Sequence, residues 1–501
     1  MPVVMPAPDQ AVLARRERIA AALRSIVPGE GVIAAEREMR PYESDGLTAY
    51  RQLPMLVVLP DTTAQVSAVL EFCHREGIKV VPRGAGTSLS GGALPLADGV
   101  LLGMAKFNRI REIDLANRVA VVEPGVTNLA ITQAVEEDGF YYAPDPSSQI
   151  ACTIGGNVAE NSGGVHCLKY GLTLHNVLGV RGFTVAGEPV TLGGEALDAP
   201  GYDLLALAIG SEGMLLVVTQ VTVKLLPKPQ SARVIMASFA DVEKAGDAVA
   251  KIIAAGIIPA GLEMMDRPAT RAVEEFVGAG YDLDAAAILL CESDGSSEEV
   301  EDEVARMKTV LEGAGATRMT VSASEAERLR FWSGRKAAFP AMGRISPDYY
   351  CMDGTIPRKR LGEVLNFIAA LEKKYGLRCP NVFHAGDGNL HPLILFDANN
   401  PDELERTERF AAEVLEKCIA VGGTITGEHG VGVEKINQMC TQFGTAELEL
   451  FHAVKRAFDR QQLLNPGKAV PTLARCAEHG KRHVHAARLE TAAPHRELPR
   501  F

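Results

Sequence analysis

The chain has 501 residues, of which 47% are hydrophobic and 23% are charged, a composition that is typical of globular proteins and excludes wholesale disorder. Its 51 Lys and Arg residues against 63 Asp and Glu residues give a formal net charge of −12, which argues against a nucleic-acid-binding protein. This length predicts about two to four domains.

The first half of the chain predicts an α/β layer. An amphipathic helix is predicted over 11–24 and a buried strand over 53–60, followed by a helix that Asp61 or Thr62 caps and Gly77 ends. The strand–helix–strand order with the next strand at 78–82 indicates an α/β arrangement. Further strands are predicted over 100–104, 119–123 and 214–226, and a helix over 128–138.

The second half predicts an antiparallel α+β arrangement that resembles the ferredoxin-like fold. Pro227 and Pro229 mark the boundary between the halves, and a strand, a helix and a strand follow over 234–262. The remaining predictions are a strand at 286–291, helices at 297–313, 323–339 and 358–375, a hairpin at 381–396, and helices at 401–420 and 445–460.

A glycine-rich loop, PRGAGTSLSGG at 82–92, follows one of the predicted strands. Glycine permits positive φ, so successive backbone N–H groups can point into one concavity and bind phosphate oxygens. The spacing fits neither the Rossmann nor the P-loop motif, and alone it is equally typical of a structural turn. Two more segments of small residues, at 144–164 and 210–213, would let a planar ligand approach the backbone closely.

These three segments, in this order, resemble the FAD-binding domain of the vanillyl-alcohol oxidase (PCMH-type) flavoproteins. Over the whole chain, the runs YYAPDPSSQIACTIGGNVAENSGGVHCLKYGLT, GRISPDYYCMDGTIPR and NVFHAGDGNLHPLILFDAN are similar to the FAD-linked subunits of bacterial glycolate oxidases. The resemblance implies an α+β fold with a PCMH-type FAD-binding domain of two α/β subdomains and a substrate (cap) domain based on the ferredoxin-like fold. The implied boundaries are an N-terminal helical segment at 1–50, the FAD-binding domain at 51–229, the FAD-linked oxidase C-terminal domain at 230–460, a return to the flavin site at 461–474, and a tail at 475–501.

The same resemblance implies the flavin contacts by position. It places the pyrophosphate loop at Pro82, Arg83, Gly84, Ala85, Gly86, Thr87, Ser88 and Gly91. It places further contacts at Pro144, Asp145, Ser148, Gly155, Gly156, Asn157, Asn161, Ser162, Glu212 and Asn465. Some family members attach FAD covalently through a His in the glycine loop, whereas this loop has Thr87 and Ser88 and no His. We therefore expect non-covalent FAD.

Two histidines flank the dipeptide Asp387-Gly388, which lies between apolar runs and predicts a β-hairpin. If these two residues are the centre of the turn, His384 and His391 pair directly, with Cβ atoms about 5 Å apart on one face. Two such imidazoles suit one divalent metal, with Glu428 as the best candidate for a third ligand, or they are polar residues satisfied at a turn. Related D-2-hydroxyacid dehydrogenases bind zinc with an equivalent His, His, Glu set, which implies the ligands His384, His391 and Glu428.

The resemblance also implies two catalytic residues, His429 as the base and Arg335 as the substrate-carboxylate arginine. An α-hydroxy acid loses its hydroxyl proton to a base while hydride leaves Cα for flavin N5. A guanidinium fork can bind both oxygens of a carboxylate. Without the resemblance, the tripeptide around His429 predicts only a loop and Arg335 predicts an exposed helix arginine.

The expected reaction is the FAD-dependent oxidation of glycolate to glyoxylate. Relatives with larger substrates carry Thr and Lys where this chain aligns Phe339 and Cys351, which favours a small acid such as glycolate or D-lactate. Tyr350 and Asp353 are further candidates for the pocket lining. The alternatives are a stand-alone D-lactate or D-2-hydroxyglutarate dehydrogenase, a metal-dependent hydrolase built on the His, His, Glu set, and a non-catalytic subunit that binds FAD structurally.

Nine scattered cysteines without a CxxC pair predict reduced thiols and no self-contained iron–sulfur cluster. The resemblance implies electron transfer to an iron–sulfur subunit and then to membrane quinone, with a second FAD-binding subunit in the complex. Short apolar runs and the absence of a secretory pattern predict a cytoplasmic protein. The resemblance implies that it reaches the inner face of the membrane only through its partners. The tail histidines His479, His483 and His485 predict either metal binding or a disordered, partner-docking segment.

Overall fold

The computed structural model describes residues 5–196 and 200–478, so the tail predicted at 475–501 is described only as far as Glu478, and His479, His483 and His485 lie outside the described residues. The described residues form four β-sheets of four, five, two and seven strands, with helices packed against them. Among these residues, no helix is both long enough and apolar enough to cross a bilayer.

The four-stranded sheet contains the predicted α/β layer. Its strands, in spatial order, are Val32–Ile33, Leu56–Val58, Gly99–Gly103 and Lys79–Arg83. The last three pair in parallel, and parallel strands are usually covered on both faces, which explains their nearly continuous burial. Thr62 caps helix Thr63–Glu76 by accepting the backbone N–H of Gln65 at 3.2 Å. The other helices here are Gln10–Leu13, Arg16–Ile26, Glu36–Met39 and the 3₁₀ turn Arg40–Tyr42.

The five-stranded sheet is antiparallel throughout. Its strands, in spatial order, are Ile110–Asp114, Val119–Val122, Val217–Lys224, Val177–Phe183 and Pro189–Gly193. The sequence analysis did not predict the two edge strands or Val177–Phe183, because their glycines and exposed residues interrupt the apolar alternation. The accompanying helices are Asn128–Val135, Ile154–Glu160, Cys167–Tyr170, Thr173–Asn176 and Leu204–Ala208, and a small ribbon pairs Phe140–Tyr141 with Leu226–Pro227.

The seven-stranded sheet carries the ferredoxin-like pattern. Its strands, in spatial order, are Arg318–Val321, Ser231–Phe239, Ala287–Gly295, Gly261–Asp266, Asn381–His384, Asn389–Phe396 and Asp348–Cys351. The first four follow the spatial order 4-1-3-2 in chain numbering, with antiparallel pairing throughout, which confirms the α+β prediction. The hairpin of the two histidines extends this sheet beside Gly261–Asp266.

The helices of the second half cover the seven-stranded sheet. They are Val242–Ala254, Arg267–Val277, Ser297–Gly313, Glu325–Lys336, Ala338–Met342, the 3₁₀ turn Arg358–Arg360, Leu361–Tyr375, Pro401–Ala420, Ile436–Gln442, Thr445–Phe458 and Leu473–Glu478. The largest core lies between them and the sheet, where Phe239, Phe383 and Phe410 are almost completely buried. Each such side chain contributes about 1.5–3 kcal/mol of transfer free energy.

The chain returns to the four-stranded sheet after its last long helix. The N–H of Val80 donates to the carbonyl of Leu463 at 2.8 Å, and the N–H of Asn465 donates to the carbonyl of Val80 at 2.7 Å. This pairing brings the C-terminal segment beside the glycine-rich loop.

One expectation about the cysteines is wrong. Cys440 and Cys476 form a disulfide that joins helix Ile436–Gln442 to the last described helix. The two residues are 36 positions apart, and only the packing of the two helices brings them together. The other seven cysteines are free and buried.

Candidate active site

A cavity of about 490 Å³ lies where the glycine-rich segments, the histidine hairpin and the loop around His429 meet. The predicted site residues that line it are Pro82, Arg83, Gly84, Ala85, Gly86, Thr87, Ser88, Ser148, Gly155, Gly156, Asn157, Ser162, Glu212, Arg335, His384, His391, Glu428 and His429. Residues predicted separately for FAD, metal and substrate therefore face one space.

The glycine loop forms a cradle that side chains would fill. A Cβ atom on Gly84 would lie 2.4 Å from the hydroxyl of Thr153, and Gly86 has a φ of 73° with the Arg83 guanidinium folded across it. That hydroxyl is buried and has no hydrogen-bond partner among the described residues. Backbone donors, a cation and an unsatisfied hydroxyl suit the phosphates and polar groups of a dinucleotide. The residues present therefore fit FAD.

Five predicted flavin residues do not line the cavity; they are Gly91, Pro144, Asp145, Asn161 and Asn465. Asp145 places a carboxylate oxygen 2.8 Å from Nδ1 of His166. Asn465 donates its side-chain amide to the carbonyls of Gly92 and Glu212, at 3.0 and 2.7 Å. Asp145 and Asn465 therefore hold segments next to the cavity wall.

The histidine hairpin has a different register from the predicted one. Residues 385–388 form a four-residue turn, so His384 pairs with Asn389 and His391 pairs with Val382. The predicted direct pairing of the histidines is wrong by two residues. A shift of two residues keeps every side chain on the same face, so the histidines become diagonal neighbours with ring centroids 4.9 Å apart.

Glu428 lies between the two imidazoles. Its Oε1 atom is 3.2 Å from Nε2 of His384 and 2.9 Å from Nε2 of His391. Burial would raise the pKa of Glu428, yet the two imidazoles lower it well below its usual value. Two imidazole nitrogens and one carboxylate oxygen that converge in this way form a donor set that suits zinc or a similar divalent ion.

Glu263 joins the predicted metal ligands to the predicted substrate arginine. Its Oε2 atom accepts hydrogen bonds from Nε of Arg335 at 2.8 Å, and its Oε1 atom is 2.8 Å from Nδ1 of His384. The strand that carries it, Gly261–Asp266, pairs directly with the first hairpin strand. The sequence analysis missed Glu263, although a carboxylate within the otherwise apolar residues 261–265 was a signal, since a buried charge needs a partner.

Asp353 fixes the loop that presents Glu428 and His429. Its Oδ2 atom accepts the backbone N–H groups of Gly427, Glu428 and His429 at 3.0, 2.9 and 2.7 Å. Its other oxygen pairs with the fully buried ammonium of Lys435. Asp353 therefore holds the loop and, contrary to its tentative assignment to the pocket lining, is not among the lining residues.

Glu212 fixes the residues that follow His429. Its two carboxylate oxygens accept the N–H groups of Val431 and Gly432, each at 2.7 Å. Burial raises the pKa of Glu212, and the neighbouring carboxylate of Glu160 is buried with it. The loop is thus held on both sides of His429 by buried carboxylates.

His429 lies in this loop as a neutral imidazole. Burial lowers its pKa to about 4, even though Asp353 acts in the opposite direction. The ring stacks on His391 with centroids 4.9 Å apart, and its buried Nδ1 atom has no hydrogen-bond partner among the described residues. A neutral ring that faces the cavity can accept a proton.

The comparisons with known proteins agree with this arrangement. Residues 54–193 match the model of the FAD binding domain, and residues 228–469 match the model of the FAD linked oxidases, C-terminal domain. The chain is 61% identical to the glycolate oxidase subunit GlcD of Escherichia coli (strain K12) over 97% of both chains. The chain belongs to the FAD-linked oxidase family. It is an FAD-dependent oxidoreductase.

Other relatives of this FAD-linked oxidase have lower sequence identity to it. The glycolate oxidase subunit GlcD of Bacillus subtilis (strain 168) is 40% identical over 85% of this chain and 91% of its own. The D-lactate dehydrogenase of Anaerostipes hadrus is 32% identical over 87% of this chain and 94% of its own. Among solved structures, p-cresol methylhydroxylase superimposes with a TM-score of 0.77 over 93% of this chain and 98% of its own, at 17% identity. That likeness shows the PCMH-type fold.

Part of the cavity wall in this FAD-linked oxidase is aromatic. Phe339 and Tyr349 both line it, with ring centroids 5.6 Å apart, and the exposed Lys336 lies nearby. The expected pocket residue Tyr350 is instead buried, with its hydroxyl 3.3 Å from that of Tyr50. Cys351 also lies outside the lining, with its sulfur 3.8 Å from Nδ1 of His391.

Proposed function

We propose that this FAD-linked oxidase oxidises glycolate to glyoxylate with non-covalently bound FAD. The observation that carries the proposal is the convergence of the glycine cradle, Arg335, His429 and the His384, His391, Glu428 set on one cavity. The two relatives named glycolate oxidase subunit are also more similar to this chain than the D-lactate dehydrogenase is.

The cavity residues divide between cofactor and substrate. The loop from Pro82 to Ser88 and the segment from Ser148 to Ser162 hold FAD, with Asn465 and Glu212 supporting them. Bound FAD supplies an acceptor for the hydride of the substrate Cα, which no side chain can provide. The loop contains no histidine at Thr87 or Ser88, which supports non-covalent attachment.

Arg335 binds the substrate carboxylate. It lines the cavity although only 1% of its surface is exposed, and Glu263 engages its Nε edge. The guanidinium has five N–H donors, so its other edge remains able to bind a carboxylate. In a buried site this ion pair both orients the acid and selects for a negatively charged substrate.

His429 takes the hydroxyl proton of the substrate. Its neutral state at ordinary pH makes it a base, and the buried carboxylates of Asp353 and Glu212 hold its loop in place. A general base in this position contributes about 10²–10⁴-fold to the rate. Loss of this proton and of the Cα hydride converts the alcohol carbon of glycolate into the aldehyde carbon of glyoxylate.

His384, His391 and Glu428 would hold a divalent metal, and zinc fits their donor atoms. Such an ion would act as a Lewis acid on a substrate oxygen. The three side chains also orient the neighbouring His429 ring through its stacking on His391.

We further propose that electrons leave through an iron–sulfur subunit of a complex that also contains a second FAD-binding subunit. All nine cysteines lie in the described residues, where two form a disulfide and seven are free and buried, an arrangement that favours a next electron carrier on another chain. The word subunit in the names of the most similar relatives supports a complex. We propose a cytoplasmic location, with contact to the inner membrane face only through these partners.

Anaerobic mixing with candidate acids tests the proposal. Glycolate should bleach the absorbance of the bound flavin faster than D-lactate does, and D-2-hydroxyglutarate should be slow because its second carboxylate meets Phe339 and Tyr349. Steady-state rates with a dye acceptor should rank the acids in the same order. Faster reduction by D-lactate than by glycolate would show that D-lactate is the preferred substrate. If none of the three acids reduced the flavin, the proposal would be refuted.

A further inference from the structure

We infer that Glu263 is a positioning residue that orients His384 for a metal ion and Arg335 for a carboxylate at the same time. The inference rests on the proposed function, because it assigns roles to two of that site's residues. Its basis is the geometry of one carboxylate between two functional side chains.

The three groups form a compact and buried unit. Oε2 of Glu263 lies 2.8 Å from Nε and 2.7 Å from an Nη atom of Arg335, while Oε1 lies 2.8 Å from Nδ1 of His384. The side chains of Arg335 and Glu263 are each 1% exposed, and that of His384 is 8% exposed. Among the described residues, no other side chain makes these two contacts, so removal of the carboxylate takes away both.

The contact to His384 selects its tautomer. Nδ1 faces a carboxylate oxygen of Glu263 and Nε2 faces one of Glu428. With the Nδ1 proton donated to Glu263, a metal ion that displaced the Nε2 proton would find the Nε2 lone pair already directed at its site. His391 has a much weaker outer partner, because its Nδ1 lies 3.8 Å from the sulfur of Cys351. The orientation of the metal ligands thus depends chiefly on Glu263.

The contact to Arg335 fixes the guanidinium and balances its charge. The Nε–H group donates to Oε2 of Glu263 and an Nη atom lies 2.7 Å from the same oxygen, so Glu263 holds one edge of the guanidinium and the opposite edge is left for substrate. The single carboxylate of Glu263 thereby contacts the guanidinium of Arg335 on one side and the imidazole of His384 on the other. A shift of Glu263 would move the metal ligand and the substrate ligand together.

Glu292 provides a matched control for a purely structural role. It lies on the adjacent strand, is 2% exposed, and also joins a histidine to an arginine, with His166 Nε2 at 3.1 Å and Arg328 at 2.8 Å. Within the described part of the chain, Glu292 makes no hydrogen bond to any of the three proposed metal ligands. Loss of this carboxylate should reduce stability without changing metal affinity.

The experiment measures Zn²⁺ affinity by competition with a chromogenic chelator, using the full-length protein with its FAD bound. Glu263→Gln should weaken Zn²⁺ binding by about 10–100-fold, while Glu292→Gln should leave it unchanged. Glu263→Asp keeps the charge but is shorter by one methylene, so it should weaken binding too, and it serves if the Gln variant does not fold. At saturating Zn²⁺, the Glu263 variants should also raise the KM for glycolate several-fold.

Three results would overturn the inference. They are wild-type Zn²⁺ affinity in folded Glu263 variants, an equal loss of affinity in Glu292→Gln, and a wild-type protein that binds no Zn²⁺. The proposed function is tested separately by flavin reduction in the wild-type protein. If glycolate reduces the wild-type flavin and either of the first two results occurs, only the role of Glu263 fails. If the wild-type protein binds no Zn²⁺, the metal assignment fails with it, and the oxidation by FAD still stands.

Discussion

The loop that carries Glu428 and His429 depends on Asp353, and replacing Asp353 by Asn tests that dependence. Asp353 uses one oxygen for three backbone N–H groups and the hydroxyl of Thr426, and the other oxygen for Lys435. An Asn offers a single acceptor oxygen, so it can serve either the loop or the lysine. If the oxygen of the new asparagine stays with the loop, Lys435 loses its partner, and if it stays with Lys435, the loop loses its acceptor. Both partners are buried, so the lost contact is not replaced by exposure to bulk solvent.

The magnitude follows from the burial of both partners. The side chains of Asp353 and Lys435 are 0% exposed, so the variant leaves an ammonium group buried without its strongest counter-charge. Breaking a buried ion pair in this way costs about 3–5 kcal/mol. A displacement of His429 by about 1 Å can also slow the reaction by about 10²-fold.

The assay combines thermal midpoints from far-UV circular dichroism with anaerobic flavin reduction by glycolate. Asp353→Asn should lower the midpoint by several degrees and slow flavin reduction about 100-fold. Adding Lys435→Met removes the orphaned ammonium and should restore part of the midpoint but not the rate. If Asp353→Asn keeps both the wild-type midpoint and the wild-type rate, the argument for this loop is refuted.

Three further predictions concern substrate, cofactor and pH. Arg335→Lys should raise the KM for glycolate at least tenfold, because an ammonium cannot bind two carboxylate oxygens side by side. A tenfold change corresponds to about 1.4 kcal/mol of binding free energy, and an unchanged KM in steady-state kinetics would contradict this role of Arg335. Gly84→Val fills the cradle and should yield a folded protein without flavin, so a normal flavin spectrum in the purified variant would contradict the cofactor assignment. Burial alone would lower the pKa of His166, but Asp145 and Glu292 raise it from 6.5 to about 10, so the stabilisation is complete below pH 6.5 and is lost as the pH rises toward 10. His166→Phe should therefore lower the thermal midpoint more at pH 6 than at pH 10, and an equal loss at both would contradict the ion pair.

Local signals in the sequence predicted much of the fold. The capping residues Thr62 and Gly77 and the apolar periodicity located helix Thr63–Glu76, and helix Pro401–Ala420 begins and ends where it was predicted. The strand and helix order of the second half predicted its ferredoxin-like sheet. The glycine-rich segments indicated a nucleotide site because small residues have a direct local consequence for the backbone.

Non-local packing decided what the sequence could not predict. The hairpin register depended on how residues 385–388 pack, which the Asp387-Gly388 signal alone did not specify. The roles of Glu263 and Asp353 come from contacts with residues more than seventy positions away in the chain. The disulfide between Cys440 and Cys476 likewise depends on the packing of two helices.

The most direct measurement compares anaerobic flavin reduction by glycolate in the wild-type protein and in His429→Asn. Both proteins should purify with FAD and be fully reduced by dithionite. Glycolate should reduce the variant about 10²–10⁴-fold more slowly than the wild type, because His429 takes the hydroxyl proton. Reduction of the variant at the wild-type rate would contradict the account.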